Sequence, residues 1–289
     1  MSAVPAELDP LPLRAGSPEH KRLLAQFFFD THVDYDPEHI PWPGLSAEEL
    51  KRLTGLPFWQ EAVSTENVTS HTVTAAATLE SDPQLRRAIA LQGFEEQRHA
   101  RLLAALTAHY HIPIEHPPPY APRNLEDDFL FAGFGECFDS FFAFGLFALA
   151  RESGFFPADL VTVFEPVMEE EVRHILFFVN WVKARRRQLP WWQRPLFRLR
   201  CGWIILKQIA SRVKTARTLG AGDPTAESSE NFTLTAHQDI AAPITLHGLL
   251  GTCLAENDRR MAHYDARLLR PRLVPGIART LHRILPKRL

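Results

Sequence analysis

Two five-residue stretches decide the fold, Glu95-Glu96-Gln97-Arg98-His99 and Glu170-Glu171-Val172-Arg173-His174. In each stretch a Glu and a His stand three residues apart, so on a helix both side chains point to the same face. Apolar residues recur at helical spacing on both sides of each stretch. Burying a carboxylate and an imidazole in such a stripe costs on the order of several kcal/mol unless a partner compensates them. A divalent metal ion bound between two helices would compensate them directly.

The chain as a whole predicts an all-α protein, because no run of alternating β-branched residues competes with the helical pattern. Proline and glycine positions, together with a capping box at Ser46 and Glu49, set the expected helix boundaries. The expected helices are 17–32, a short one after Ser46, 57–80, 83–110, 125–153, 157–188 with a kink at Pro166, 191–219 and 237–269. A linker is expected at 220–230.

Two Glu-x-x-His helices call for two further helices that each supply one Glu, which is the four-helix di-metal arrangement. On the helix at 125–153 the candidate is Glu136, which lies in a Phe-rich run. On the helix at 57–80 it is Glu61 or Glu66, and only one of them can face the core because five residues turn through about 500°. Glu66 lies in the better apolar stripe. The predicted ligands are therefore Glu66, Glu96, His99, Glu136, Glu171 and His174, a donor set without thiolate that suits iron or manganese.

This arrangement resembles the ferritin-like non-haem di-iron carboxylate proteins. Its paired [Asp/Glu]-Glu-x-Arg-His motifs resemble those of the O2-activating branch, which includes bacterial multicomponent monooxygenases, acyl-carrier-protein desaturases, ribonucleotide reductase small subunits and demethoxyubiquinone hydroxylases. The resemblance covers about residues 57–188. It implies a ferritin-like four-helix bundle there. The flanks are outside the resemblance, and we expect an N-terminal extension with a helix at 1–56 and a basic helical extension at 189–289 packed on the bundle. It also implies that Glu95 and Glu170 hydrogen-bond the ligand imidazoles and that Arg98 and Arg173 brace those two acids.

The resemblance further implies an oxygenase or oxidase that hydroxylates or otherwise oxidises an apolar organic substrate. It would use two iron ions (manganese with iron is also compatible), O2 as cosubstrate, and electrons from a separate reductase or ferredoxin, since no flavin, nicotinamide or iron–sulfur motif is present. Asp139 and Ser140 follow Glu136 and are candidates to line the oxygen pocket as catalytic residues; a helix hydroxyl bonded to its own backbone is the alternative for Ser140. A radical-generating reductase subunit is disfavoured, because no tyrosine, Tyr35 included, falls near a ligand within the four helices. A ferroxidase, a non-catalytic metal-binding protein, and a membrane- or RNA-associated hydroxylase remain alternatives.

The formal net charge of −2 conceals a segregation of charge along the chain. Residues 172–222 carry 12 Lys and Arg and no acid, and residues 259–289 carry nine against Asp265 alone, so the remainder holds 11 basic and 33 acidic residues. The segment 189–214 mixes these cations, Arg212 among them, with tryptophan and isoleucine. That pattern predicts contact with an anionic membrane or an acidic substrate-carrier protein. A helix packed on the bundle with its charges in water is the alternative, and a homodimer is a further expectation.

The sequence favours a cytoplasmic location with peripheral membrane contact. Three cysteines too far apart for a Cys-x-x-Cys pair argue against a disulfide scaffold, a zinc ribbon or a rubredoxin-type site. No secretory signal is visible at the N-terminus. The apolar run 129–150 has the length of a membrane span, but it contains Glu136 and Asp139, so a buried helix explains it better.

Overall fold

The computed structural model describes residues 13–56, 58–115, 120–220 and 245–286, and all the regular structure in these ranges is helical, which confirms the all-α prediction. Short 3-10 turns occur at Pro37–His39 and Ala77–Leu79. The helices are α1 (Pro18–Asp30), α2 (Ala47–Thr54), α3 (Trp59–Ala76), α4 (Pro83–His109), α5 (Leu125–Ser153), α6 (Ala158–Val163), α7 (Glu165–Gln188), α8 (Gln193–Gly220), α9 (Leu246–Met261) and α10 (Leu273–Ile284).

Local capping chemistry accounts for the helix boundaries. Ser46 and Glu49 form the expected capping box at the start of α2. The Asp82 carboxylate accepts the backbone N–H groups of Gln84 and Leu85 at the start of α4. Gly154 ends α5 in the left-handed region, with φ of 63°, which a residue with a Cβ rarely adopts.

The four long helices α3, α4, α5 and α7 contact one another in a closed ring. Helix α3 packs against α4 and α5, and α7 packs against the same two helices from the other side. Helix α1 covers the α4 and α7 side of this ring, while α8 and α9 lie against α5 and α7. Both pentads therefore lie on helices that contact each other, α4 and α7.

The predicted helix 157–188 is interrupted, which corrects the expected kink. Helix α6 ends at Val163, and α7 begins at Glu165 after Phe164. Pro166 lies in the first turn of α7, where its missing N–H leaves no hydrogen bond unmade. The proline therefore starts a new helix instead of bending an existing one.

The predicted last helix, 237–269, is also wrong in extent. Helix α9 covers Leu246–Met261, and positions 237–244 lie outside the described residues, as do positions 221–230 of the expected linker. A further helix, α10, was not predicted. Pro275 lies in its first turn, where a proline is tolerated.

Helix α5 is the central helix of the protein. By length and composition it could cross a membrane, but 61% of its most apolar window is buried inside the protein, as expected for a core helix. Helix α9 approaches it closely, because a Cβ on Gly145 would come within 2.3 Å of the Cys253 sulfur. The described cysteines are all free and buried.

Candidate metal centre

The two pentads face each other across the interface of α4 and α7. The imidazole rings of His99 and His174 lie 5.6 Å apart between centroids. Both imidazoles and the Glu96 carboxylate are almost fully buried, with at most 1% of each residue exposed. The helical spacing of three residues thus brings each Glu and His of a pentad into one enclosed space.

Glu96 and Glu171 lie between the two imidazoles. One oxygen of Glu96 is 2.9 Å from His174 Nδ1, and the other is 3.7 Å from His99 Nδ1. Glu171 Oε1 is 3.5 Å from His99 Nδ1 and 4.0 Å from His174 Nδ1. Both carboxylates therefore lie within 4.0 Å of both imidazoles, but only Glu96 belongs to the groups of closely spaced donor atoms, and Glu171 lies beside them.

Helices α3 and α5 complete two groups of donor atoms. Glu66 joins Glu96 and His99 in one group, and Glu136 joins Glu96 and His174 in the other. Within each group the donor atoms lie within 4.8 Å of one another. The other α3 candidate, Glu61, belongs to neither group, and it lines a cavity beside the centre.

Several donor atoms of this cluster have no hydrogen-bond partner, namely Glu96 Oε1, His99 Nδ1, Glu136 Oε1 and His174 Nδ1. The 2.9 Å contact between Glu96 and His174 lacks hydrogen-bond geometry. A buried polar atom without a partner is costly. Metal–ligand bonds of about 2.0–2.2 Å would satisfy donors at these separations. The residues therefore fit two metal ions, and hard oxygens with imidazole suit iron or manganese.

The charge balance of the cluster also favours bound cations. Burial, together with the negative charges of Glu96 and Glu171, raises the pKa of Glu136 well above its usual value. Burial and the charge of Glu96 raise the pKa of Glu171 to about 7. Burial likewise raises the pKa of Glu66. The two imidazoles of the cluster have raised pKa values and hold the pKa of Glu96 low, but they do not offset the other three carboxyl groups, and metal ions would supply further positive charge.

Each acid before a ligand Glu contacts the imidazole of the opposite pentad. His174 Nε2 is 2.8 Å from Glu95 Oε2, and Arg173 donates to the other Glu95 oxygen at 2.6 Å. Burial opposes ionisation of Glu95, but His174 and Arg173 together lower its pKa to about 2. A carboxylate at the outer nitrogen orients the ring and leaves Nδ1 free for a metal.

The second half of this network mirrors the first. His99 Nε2 is 2.8 Å from Glu170 Oε2, and Arg98 donates to the other Glu170 oxygen. Arg98 is fully buried and also donates to the Val33 carbonyl at 2.9 Å. The contacts of Glu170 with His99 and Arg98, and of Glu95 with His174 and Arg173, thus cross between α4 and α7 and join the two pentads.

Three residues that follow α1 contact this network and were not predicted from the sequence. His32 Nδ1 lies 2.5 Å from Glu95 Oε1, and Asp34 pairs with Arg98 at 3.2 Å. The Tyr35 hydroxyl donates to Glu170 Oε2 at 3.5 Å from outside the four long helices, so a tyrosine contacts the acid that holds His99 although none was predicted within those helices near a ligand. These residues lie outside any helix, where no periodicity marks them.

His32, Glu95 and Glu170 form a third group of metal-type donors. This group does not fit an ion, because the guanidinium groups of Arg173 and Arg98 already neutralise the two carboxylates. The two groups that fit an ion are therefore those on the inner side of the imidazoles.

Asp139 and Ser140 have different surroundings. The Ser140 hydroxyl donates to Glu171 Oε2 at 2.8 Å, so it holds a predicted ligand and does not bond its own helix backbone. Asp139 pairs with Arg212 of α8 at 2.5 Å. Arg212 is buried, which corrects its assignment to an exposed basic surface. Gln92, not singled out from the sequence, points its amide nitrogen at Glu136 Oε2 from 3.5 Å.

Two cavities reach the centre from different sides. The first has a volume of 210 Å³ and an apolar lining, apart from Glu66 and His99. The second has a volume of 440 Å³, is more polar, and reaches Glu136 and Glu171. Glu66 borders both cavities. Apolar residues of the first cavity include Leu53, Leu56, Trp59, Leu103, Leu146, Phe147, Phe156 and Phe164.

Comparisons of the chain with protein-family models, curated proteins and solved structures find no match. The role of the centre therefore rests on its geometry and chemistry.

Replacing Glu136 with Gln is expected to stabilise the metal-free protein by about 1 kcal/mol or more at pH 7–8, because folding then no longer has to protonate this carboxylate or bury it charged. In the unfolded chain the pKa of Glu136 is about 4.5, and in the folded protein it is higher. Glu136 therefore lowers the free energy of unfolding at pH values above about 4.5 and has no such effect below that pH. The gain should therefore disappear near pH 4, while iron binding weakens at neutral pH. Urea unfolding of the metal-free protein at both pH values measures this.

The matched control is Glu126→Gln on the same helix. Glu126 pairs with Arg185 and Arg200, so its replacement should lower stability slightly instead of raising it. A loss of stability in Glu136→Gln at pH 8 would contradict the assignment of Glu136 as an uncompensated ligand.

Proposed function

We propose that this chain is a ferritin-like non-haem di-iron oxygenase or oxidase that uses O2 to hydroxylate or otherwise oxidise a small apolar organic substrate. The observation that carries the proposal is the apolar cavity of 210 Å³ that ends at Glu66 and His99. A metal site built only to bind or store iron needs no apolar chamber. Apolar cavities with a few convergent polar groups are typical substrate sites.

The ligand arrangement supports two ions that share bridging carboxylates. Glu66 and His99 would hold one ion, Glu136 and His174 the other, and Glu96 and Glu171 would bridge them. When bound, two ferrous ions supply two electrons which, with two protons, reduce O2 so that one oxygen atom enters the substrate and the other leaves as water. Further turnovers require an external donor, for which a separate reductase or ferredoxin is proposed.

The chain's own residues orient the ligands and exclude water. Glu95 and Glu170 hold the outer nitrogens of His174 and His99, so both rings present Nδ1 to the centre. Ser140 holds Glu171 through a hydrogen bond and is therefore a positioning residue. The apolar lining of the first cavity keeps water from the substrate side of Glu66 and His99.

A ferroxidase is the second candidate, because the larger cavity offers a polar route for ferrous ions. Its lining includes Glu61 and Asp128, reaches Glu136, and also contains the Asp139–Arg212 ion pair. A route lined by more acids than cations attracts metal ions. This function would need no organic substrate.

Two matched variants separate these functions. Ala62 lines only the apolar cavity and Ala132 only the polar one, so Ala62→Phe and Ala132→Phe each block one route with the same side chain. Protein loaded anaerobically with Fe(II) is mixed with O2 and naphthalene as probe, and oxygenated product and oxygen uptake are measured. An oxygenase should give naphthol carrying oxygen from O2, with at least about tenfold less product in Ala62→Phe and near-normal product in Ala132→Phe.

Iron oxidation without product, slowed by Ala132→Phe alone, would favour the ferroxidase and overturn the oxygenase proposal. Far-UV circular dichroism of both variants checks that the added ring leaves the helices intact.

A further inference from the structure

Helix α8 is anchored to the protein through one face. Phe197, Cys201 and Ile204 are buried in the core, at helical spacing. Further along the same face, the Gln208 amide donates to the Phe131 carbonyl at 2.7 Å, and buried Arg212 pairs with Asp139. The orientation of α8 is therefore fixed by its contacts with α5.

The opposite face of α8 is apolar and exposed. Leu199 is 71% exposed, Trp203 60% and Leu206 58%, and Trp191 just before the helix is 78% exposed. A helix that is apolar on both faces usually lies within a core or against lipid. Large exposed apolar patches mark contact surfaces. The outer face of α8 comprises Leu196, Leu199, Trp203, Leu206 and Val213, together with Trp192 just before the helix. These residues recur every three or four positions, except between 206 and 213, where Ala210 intervenes.

Cations without acidic partners accompany this face. Some arginines near α8 pair with acids; Arg200, for example, pairs with Glu126 and Asp127. Other cations at the end of α7 and along α8 make no ion pair with an acid among the described residues. They are Lys183, Arg186, Arg187, Arg194, Arg198 and Lys207; Arg194 donates to backbone carbonyls instead, and Lys207 lies over the Trp203 ring at 5.6 Å.

We infer that the outer face of α8 binds the surface of an anionic lipid bilayer. Tryptophan and leucine on one face, with unpaired lysine and arginine beside them, match the chemistry of an interfacial helix: apolar side chains enter the headgroup region and cations meet lipid phosphates. An acidic protein would pair with the cations but would not require three exposed tryptophans. The inference is independent of the proposed oxidation chemistry, because no ligand residue takes part in it.

The test is flotation of the full chain with vesicles of phosphatidylcholine alone or of phosphatidylcholine with 30% phosphatidylglycerol. The chain should float with the anionic vesicles, and its tryptophan emission should shift to shorter wavelength. Leu199→Ser/Trp203→Ser should lower the partition coefficient at least about tenfold. Leu50→Ser, an exposed leucine on α2, should leave it unchanged.

Charge reversal tests the electrostatic part. Arg198→Glu/Lys207→Glu should lower binding to anionic vesicles at least about tenfold, since each surface cation contributes roughly fivefold. Arg22→Glu/Arg101→Glu makes the same change in net charge on other exposed positions and should have a much smaller effect.

Three outcomes would overturn the inference: no flotation with anionic vesicles, equal flotation with neutral vesicles, or equal effects of the two charge reversals. A wild-type dimer that Leu199→Ser/Trp203→Ser converts to monomer, without any vesicle binding, would instead assign the face to a second copy of the chain. Light scattering of the same samples measures this.

Discussion

Glu96→Ala is expected to abolish metal loading, lowering Fe(II) affinity at least about 100-fold and leaving little iron on the purified protein. Glu96 is the one carboxylate shared by both groups of donors, and its oxygens lie 2.9 Å and 3.7 Å from the two Nδ1 atoms. Its removal takes a ligand from each ion. Loss of a residue that only orients a metal ligand lowers metal affinity about 10- to 100-fold. Loss of a carboxylate that binds both ions should therefore lower the affinity by more than about 100-fold.

The measurement is iron content and Fe(II) affinity of the purified full chain, with Gln97→Ala as control. Gln97 is the next residue of α4 but is exposed and hydrogen-bonds Thr74, so its variant should retain iron. Burial opposes ionisation of Glu96, but His174 and His99 hold its pKa below the usual value, so circular dichroism of the metal-free Glu96→Ala protein checks that the fold survives the loss of this partner. Unchanged iron content in Glu96→Ala would contradict the site.

Arg98→Met is expected to cost about 3–5 kcal/mol of unfolding free energy in the metal-free protein. Arg98 is fully buried, and its loss leaves the Glu170 carboxylate without its cation in a closed space. It also leaves the Val33 carbonyl without its donor. Removing one partner of a buried ion pair is far more damaging than removing both.

Arg101→Met on the same helix is the control, because Arg101 is exposed and its loss should cost less than about 0.5 kcal/mol. The double variant Arg98→Met/Glu170→Gln should recover part of the stability lost by Arg98→Met. Urea unfolding measures all three. If Arg98→Met and Arg101→Met lower the free energy of unfolding equally, the Arg98–Glu170 ion pair contributes nothing to stability.

The helices could largely be predicted from the sequence because their signals are local. The bounds of α5 follow from Asn124 and Gly154, which cap its two ends, and those of α4 from Asp82 and Pro83. The ligand pairs on α4 and α7 could also be predicted, because a spacing of three residues fixes which side chains share a helix face.

What the sequence could not show depends on contacts between distant segments. His32 and Tyr35 reach Glu95 and Glu170 from a non-helical segment that no periodicity marks. The break at Phe164 was missed because a proline in a first turn and a proline at a kink look alike in a sequence.

The segregation of charge along the chain is partly undone by folding. Arg212 pairs with Asp139, and Arg260 pairs with Glu165 and Glu169 across the helices. The basic segments are thus in part counterions for acids elsewhere. Within the part of these segments that the structure describes, most cations without an acidic partner lie at the end of α7 and along α8. Composition alone cannot separate these two groups, because pairing is set by the packing of α8 and α9 on α5 and α7.

The most direct test of the account is the stoichiometry of Fe(II) binding by the full chain, measured by anaerobic equilibrium dialysis with elemental analysis. The account predicts about two iron ions per chain in the unaltered protein and almost none when Glu96 and His174 are both replaced by Ala. An unaltered protein that takes up no iron, or a double variant that binds as much iron as the unaltered protein, would contradict it.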